Sequence, residues 1–482
     1  MVLCHGVFDL LHVGHIKYFE EAKKMGDVLV VTLTPDKYVN KGPHRPAFAQ
    51  DLRAEALAAL QAVDYVAVNE WPTAVETIAL LKPDYYVKGP DYKKASDDRT
   101  GKIIDEKKAI EAVGGELKFT TGQTYSSTSL INNKLATYPV ETREFLQLVR
   151  DKYSVSDIAD MIEDLRNIKV LVVGEAIVDE YQYCEAIGKS SKEPTLVVKV
   201  GKKEAFLGGV LAIVNHVVGF AGAAGVVTQL GDRNSWQELV RRELDPAVVW
   251  QGVTRSEAPT IVKRRYIDSY FFTKLFETYE IKDEHMTEQD EARLVDKLEQ
   301  VVSGYDMVIV ADYGHGFFSH KVVQKLREKA VFLAVNVQSN AGSLGYQSLQ
   351  KYAGADFFSI DETELRLEAR DRRGEIEAVI NGVGRMSGGK TMFVTRGSRG
   401  SVCWRGEQEL AKIPAVAGKV VDRVGAGDAF LAVTALCASR GVPAEVMGLL
   451  GNIAGAMTVA VVGNKKPVRK LDLIRSVESL LK

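Results

Sequence analysis

The stretch Gly6-Val7-Phe8-Asp9-Leu10-Leu11-His12-Val13-Gly14-His15 decides how the first third of the chain is read. A short apolar run, Met1 to Cys4, precedes it, and a helical pattern with Ile16, Phe19 and Ala22 on one face follows. Strand, glycine turn and helix is the layout that brings a phosphate chain against backbone N–H groups at a helix N-terminus. His12 and His15 lie near that terminus, where both can face a bound phosphate. Nucleotidyl transfer asks of a protein mainly charge stabilisation at an α-phosphate, and imidazole N–H donors supply it. A pair of ordinary loop histidines is the competing reading. The glycines, the preceding strand and the following helix together favour the phosphate.

GVFDLLHVGH resembles the His-x-Gly-His signature of the cytidylyltransferase-like nucleotidyltransferases. Class I aminoacyl-tRNA synthetases share that signature but also need a Lys-Met-Ser-Lys-Ser loop, which this sequence lacks. The smaller enzymes use a Ser/Thr-rich turn opening a late helix, matched here by Tyr125-Ser126-Ser127-Thr128-Ser129-Leu130-Ile131. The resemblance implies a doubly wound, Rossmann-like α/β domain over residues 1–133. It implies catalytic roles for His12 and His15, and nucleotide or phosphate contacts from Gly6, Phe8, Asp9, Ser127 and Thr128.

A chain of 482 residues is too long for one ordinary core, so two or more domains are expected. Hydrophobic content of 46% and charged content of 26% are those of a soluble globular protein. With a net charge of −2 and no Lys/Arg block, neither nucleic acid nor a membrane surface is an expected partner. Cys4, Cys184, Cys403 and Cys437 are far apart and read as reduced thiols in a cytoplasmic protein. No signal-peptide pattern opens the chain, and the apolar run Gly448 to Gly463 is broken by Asn452 and glycines.

Val28 to Leu33 reads as a buried parallel strand, Asp51 to Leu60 as a helix, and Tyr65 to Val68 and Tyr85 to Val87 as further strands. That alternation implies βαβ units with ligands at the carboxyl ends of the strands. Lys41, Arg45, Arg53 and Lys88 sit where loops leave strands or helices begin, within HRPAFAQDLRAEAL, VKGPDY and their flanks. The resemblance makes Lys41, Arg53 and Lys88 nucleotide or phosphate contacts, with Arg45 beside them. Residues 134–166 read as a polar, helical connector without a Gly/Ser linker.

Residue 167 opens a second α/β pattern. Lys169 to Gly174 is a strand ending in a glycine turn, with Asp179 shortly after. Strands crowd at Thr195 to Val200 and Thr260 to Tyr266, then alternate with helices through Met307 to Ala311, Val331 to Val335 and Thr391 to Thr395. The reading is a large α/β sandwich with a small β lid. Gly384 to Thr391 satisfies G-x-x-x-x-G-K-[ST] but follows a helical stretch and precedes a strand. A phosphate loop needs the opposite order, so this is a helix C-cap.

Asp422-Arg423-Val424-Gly425-Ala426-Gly427-Asp428 precedes an apolar helix. Its backbone N–H groups can hold a transferring γ-phosphoryl group, and a carboxylate on that first turn can take the proton of an attacking hydroxyl. The run resembles the Asp-Thr-x-Gly-Ala-Gly-Asp signature of the ribokinase-like sugar kinases. By that resemblance Asp428 is the base and Gly425, Ala426 and Gly427 bind phosphate. Thr395, Gly397 and Gly400 belong to a nucleotide turn, and Asp179, Gly208 and Gly209 to a sugar site. Asp361 and Glu364 stand where the family keeps an Asn-x-x-Glu pair near magnesium. Arg423 replaces the usual threonine and Asp361 the usual asparagine; Val210-Leu211 follow the paired glycines, leaving the sugar open.

Together the halves resemble the bifunctional ADP-heptose synthases in reversed domain order, with a kinase domain over residues 167–482. The resemblance implies a sugar-phosphate kinase and a sugar-1-phosphate nucleotidyltransferase that use Mg²⁺ and ATP, with ATP or CTP as nucleotidyl donor. It implies a precursor for surface polysaccharide, a separate phosphatase acting between the two steps, and a homo-oligomer paired through the kinase lid. The alternatives are a CTP-dependent cytidylyltransferase for a polyol or sugar phosphate, and a kinase half that binds sugar without turning it over.

Overall fold

The computed structural model describes residues 1–39, 45–90, 102–121, 138–282, 284–406, 410–418 and 420–481. Lys41, Ser127 and Thr128 therefore lie outside the described residues. The chain packs as two compact units, residues 1–140 with 474–482, and residues 141–473.

In the first unit five strands form one parallel sheet: β1 (Val2–Gly6), β2 (Leu29–Leu33), β3 (Tyr65–Val68), β4 (Tyr85–Lys88) and β5 (Glu116–Phe119), in the order β3-β2-β1-β4-β5. β1 and β2 are apolar and almost wholly buried, as strands covered on both faces must be. Phe19, Leu29, Val31, Leu33 and Leu57 fill one side of the sheet, and Leu3, Ile78, Tyr86 and Ile110 the other. The strand order reverses between β1 and β4, so the crevice beyond their carboxyl ends is the ligand position of an open α/β sheet. The His-x-Gly-His turn leaves β1 there, and Lys88 ends β4 there.

The second unit opens with helices Val140–Lys152 and Val155–Asp164, the latter started by a reciprocal Ser154–Asp157 cap. Its nine-stranded sheet is built from β6 (Lys169–Gly174), β9 (Ala223–Val227), β11 (Val248–Trp250), β15 (Met307–Asp312), β16 (Leu333–Val337), β17 (Phe357–Asp361), β18 (Thr391–Thr395), β19 (Ser401–Trp404) and β20 (Leu410–Ile413). The order is β11-β9-β6-β15-β16-β17-β18-β19-β20, with every strand running the same way except β19, which is antiparallel to both its neighbours. β6 lies between β9 and β15, so the order reverses at β6 and β15. That is the second switch point. Two short strands, β10 (Gln229–Arg233) and β12 (Val253–Pro259), pair separately.

The lid is a four-stranded sheet of β7 (Ala176–Lys189), β8 (Leu196–Gly209), β13 (Ile261–Asp268) and β14 (Lys274–Glu280), in the order β14-β13-β7-β8. Periodicity located only pieces of it. Leu196–Val200 is the outer end of a 14-residue strand that returns to the core at Gly209. Asp179, shortly after β6, lies inside β7, paired with Phe206 across the ladder. The helix Ile376–Ser387 ends at Gly388, whose φ of +62° is the left-handed C-cap, and β18 follows. The apolar run near the C-terminus is largely the buried helix Ala444–Val459, and among the described residues no helix is long and apolar enough to cross a membrane. The four cysteines are buried and not in disulfides.

Candidate active sites

Beyond β1 the backbone makes a tight loop in which Phe8 and Leu10 take φ of +47° and +50°. Left-handed φ at such residues is strained and persists only where surroundings enforce it. The Phe8 ring folds back over Gly6, where a Cβ would lie 2.9 Å from the ring tip. Asp9, buried, accepts the N–H groups of Ala47 at 2.8 Å and Phe48 at 3.2 Å. The loop delivers His12 to the N-cap of the helix Val13–Lys23, its Nδ1 accepting the Gly14 N–H at 3.0 Å. A ring that accepts at Nδ1 carries its proton on Nε2, so His12 is a neutral donor at that atom. Burial pushes its pKa below the ordinary 6.5 and favours that neutral form. The His15 ring stacks on His12 at 4.0 Å between centroids and meets the Phe8 ring edge-on at 5.6 Å. The two histidines share one site at one helix start.

Arg53 is almost wholly buried, and its guanidinium is spent on this loop. It donates to the carbonyls of Val7, Phe48 and Thr34 and to Asp36 Oδ1, the Thr34 bond being 3.0 Å and the Asp36 bond 2.6 Å. Arg53 thus clamps the carboxyl ends of β1 and β2 together. Lys88, also buried, pairs with Glu106 at 3.0 Å and lies 5.0 Å from the Tyr86 ring centroid. Arg45 lies near Asp9, and burial pushes its pKa down. His5 completes the floor, its Nδ1 2.9 Å from the Thr32 hydroxyl and its Nε2 3.3 Å from that of Thr34.

In the second unit the helix Ala426–Ser439 starts at Gly425, whose φ is +82° and whose Cβ would lie 1.7 Å from Asn464 Oδ1. Only glycine fits there. A Cβ on Gly427 would meet nothing within 4 Å, so the front of the helix start is open. Asp428, on the first turn, is buried and receives the Tyr313 hydroxyl at 3.0 Å. Burial, with Asp179 nearby, raises its pKa to about 6. A carboxylate poised there takes a proton readily near neutral pH.

Asp179 reaches the same space from β7 and pairs with Arg265 of β13. Gly208 leaves room for it: a Cβ there would lie 2.3 Å from Asp179 Oδ2. Gly209 takes φ of +57°, and its Cβ would lie 2.4 Å from the Glu175 carbonyl. The two glycines, Asp179 and Asp428 therefore meet around the β6/β15 switch point. Lys263 joins them from β13, with its ammonium 5.7 Å from the Tyr313 ring centroid and its pKa lowered by burial. Motif reading missed Glu175, Lys263, Arg265 and Tyr313. The signal for Tyr313 was the Asp312-Tyr313-Gly314-His315-Gly316 turn directly after the buried strand Met307–Ala311.

Asp422, the first acid of the signature, faces the lid. It accepts from the Tyr181 hydroxyl, from Lys274 Nζ at 2.9 Å and from the Gly463 N–H at 3.0 Å. These bonds hold its pKa below the usual value despite burial. Arg423 beside it is exposed. Thr395 ends β18, and Gly397 and Gly400, at φ of +57° and +80°, bracket the turn that follows. A Cβ at Gly400 would lie 2.0 Å from the Ile413 carbonyl. Asp361 and Glu364 form a reciprocal cap on the helix Glu362–Ala369, at 2.8 Å and 3.1 Å. Burial and the Asp361 charge raise the Glu364 pKa to about 7. Two crowded carboxylates are a hard-oxygen set that a hydrated divalent cation would relieve.

Residues 167–471 match the family model of the pfkB family carbohydrate kinases. The chain belongs to that family. The pfkB part carries the Gly425–Asp428 helix start and the Asp179–Gly209 corner, and residues 3–133 match the Cytidylyltransferase-like model. Curated relatives include the Bifunctional protein HldE of Aliarcobacter butzleri, 43% identical over 136 residues, 28% of this chain and 28% of that protein. The Bifunctional protein HldE of a Nitratiruptor species is 50% identical over 118 residues, 24% of this chain and 25% of that protein. The chain spans about a quarter of the length of these relatives. Phosphofructokinase-2 from Escherichia coli in complex with potassium superposes with a TM-score of 0.54 at 14% identity, covering 65% of this chain and 100% of its own. The same enzyme in complex with fructose-6-phosphate gives 0.53 at 13%, with the same coverage. At that identity these structures establish the pfkB fold.

Proposed function

We propose that the chain is a bifunctional enzyme, a sugar-phosphate kinase and a sugar-1-phosphate nucleotidyltransferase, most closely an ADP-heptose synthase with its domains reversed. The domains are residues 1–133 and 167–482, joined by a helical connector over 134–166. The observation that carries this reading is the presence of two differently equipped helix starts in one chain. One bears stacked His12 and His15, the other a glycine cap and buried Asp428.

In the kinase, Asp428 takes the proton of the acceptor hydroxyl as its oxygen attacks the γ-phosphorus of ATP. The N–H groups of Gly425, Ala426 and Gly427 receive the transferring group's charge, while Asp179 with Gly208 and Gly209 orients the sugar. Thr395, Gly397 and Gly400 hold the nucleotide. Mg²⁺, when bound, neutralises charge on the phosphates, and Asp361 and Glu364 would hold its water shell. In the transferase, the oxygen of the sugar 1-phosphate attacks the α-phosphorus of ATP and pyrophosphate leaves. His12 Nε2–H and the His15 ring stabilise the charge of that step. Gly6, Phe8, Asp9 and Arg53 shape the loop, and Lys41, Lys88, Ser127 and Thr128 contact the triphosphate.

The kinase product carries two phosphates and the transferase substrate one, so a separate phosphatase acts between them in the cytoplasm. The chain works as a homo-oligomer paired through the lid. The test incubates the protein with heptose 7-phosphate or heptose 1-phosphate and with ATP or CTP, following ADP and pyrophosphate separately. ADP with the first and pyrophosphate from ATP with the second is the expected result. Pyrophosphate from CTP alone would replace the donor. Direct conversion of heptose 7-phosphate to nucleotide-sugar by this chain would overturn the two-site scheme.

A further inference from the structure

The loop after β15 is fastened at three consecutive residues, Tyr313, Gly314 and His315. Glu175 accepts the N–H groups of Tyr313 and His315, each at 3.1 Å, through its two carboxylate oxygens. Asp312 Oδ1 accepts the Gly314 N–H at 3.0 Å, and its Oδ2 accepts from Lys351 at 2.7 Å and Tyr352 at 2.8 Å. Asn340 donates to the Tyr313 carbonyl at 2.6 Å. This bracing delivers one side-chain contact to the proposed kinase centre: the buried Tyr313 hydroxyl donates to Asp428 Oδ1 at 3.0 Å. Among the described residues no hydrogen bond reaches Asp428 Oδ2.

We infer that Tyr313 is a positioning residue for phosphoryl transfer, occupying Oδ1 of Asp428 and turning Oδ2 toward the acceptor hydroxyl. The inference rests on the reading of Asp428 as the base. In the step, the acceptor O–H bond breaks and its proton goes to Oδ2. The oxygen's electron pair forms the bond to the γ-phosphorus, and the bond to the bridging oxygen breaks with its electrons leaving on ADP. With one carboxylate oxygen held by a fixed donor, the carboxylate plane cannot rotate out of line. Burial keeps the Tyr313 phenol protonated well above its ordinary range, so it remains a donor at working pH.

The charged groups facing Asp428 are Asp179 on β7 and Lys263 on β13, while Glu175 acts on Lys263 and Tyr313. Arg265 stands behind Asp179 and His315 beside Lys263. Asp179 favours the protonated acid, whereas Tyr313 and Lys263 favour the carboxylate. Removing the Tyr313 hydroxyl therefore raises the pKa of Asp428, and the acidic limb of the rate profile moves to higher pH.

The test is Tyr313→Phe in the full chain, assayed with ATP and heptose 7-phosphate. The expected result is a fall in kcat of about 10- to 100-fold, with KM changed by less than about twofold, and an upward shift of the acidic limb by roughly one pH unit. Unchanged kcat, or a loss of kcat with the limb unmoved, overturns the inference. If the phenylalanine variant does not fold, site-specific 3,5-difluorotyrosine at position 313 strengthens the donor and should move the limb down instead. An unmoved limb there overturns it equally. Asp428→Asn separates the two readings. Retained activity in that variant removes the base assignment, whereas a dead Asp428→Asn with a silent Tyr313→Phe removes only this inference. Should the wild type form no ADP with that acceptor, the carbon-13 titration of the Asp428 carboxyl, with and without the Tyr313 hydroxyl, decides the point by the same shift.

Discussion

The helix Val13–Lys23 begins at a histidine and the helix Ala426–Ser439 at a glycine, although both point an N-terminus toward a proposed phosphate site. At the first, side chains do the work. His12 closes the helix with its own Nδ1 and keeps a donor on Nε2, and His15 stacks on it. At the second, the backbone does the work, because Gly425 at φ of +82° leaves the first-turn N–H groups uncovered. The titratable group there, Asp428, is buried beneath the turn. The contrast matches the two chemistries. Attack on an α-phosphate by a phosphate oxygen needs no proton removed, so donors suffice. Attack by a sugar hydroxyl needs a base, and burial with Asp179 nearby raises Asp428 to about 6.

The comparison breaks most sharply at Asp428. Asp428→Asn should lower sugar-dependent ADP formation by about 10²- to 10⁴-fold and leave pyrophosphate release unchanged; loss of both would show that the sites are coupled. His12→Ala or His15→Ala should reverse the pattern, reducing pyrophosphate release by about 10²- to 10³-fold with ADP formation intact.

Acidity separates the halves more gently. With Asp428 as the proposed base acting in its carboxylate form, kinase rate should fall as pH drops through about 6. His12 must stay neutral to accept from Gly14, and burial holds its pKa below the ordinary 6.5. Any loss of transferase activity from His12 protonation should therefore lie below the ordinary imidazole value of 6.5. A kinase rate that stays flat through pH 6 would contradict the assignment of Asp428.

Arg53→Met tests whether the first site depends on bracing as the second does. It orphans the carbonyls that Arg53 holds, and should cost the first unit on the order of 3 kcal/mol, read by denaturant unfolding. The smallest effect is at Asp361. Asp361→Asn removes the charge that helps hold Glu364 near 7, so the Glu364 pKa should fall. The magnesium concentration for half-maximal kinase rate should change by roughly threefold, about 0.6 kcal/mol. No change would place the pair outside the metal's reach.

Glycines and their spacing made most of this readable. Gly6 under Phe8, the 208–209 pair and Gly425 mark places where a Cβ has no room or φ is positive. Such positions constrain residue type locally, so they survive in a linear string. The reversed order of glycine turn and strand at Gly388 likewise sufficed to reject the phosphate-loop pattern, and the helix cap there bears this out.

The sequence by itself determined two α/β halves, the two helix starts and their contrasting chemistry, because each depends on residues within about ten positions of one another. Tertiary structure alone decided which distant groups meet them. Tyr313 reaches Asp428 across 115 positions, Arg265 reaches Asp179 across 86, and Tyr181 reaches Asp422 across 241. No periodicity encodes such meetings. They arise where the lid strands and the loops at the strand-order reversal bring remote segments together. Arg53 shows the same limit from the other side. Its position beside the phosphate loop was legible, but its commitment to three carbonyls and Asp36 depended on the packed ends of two strands.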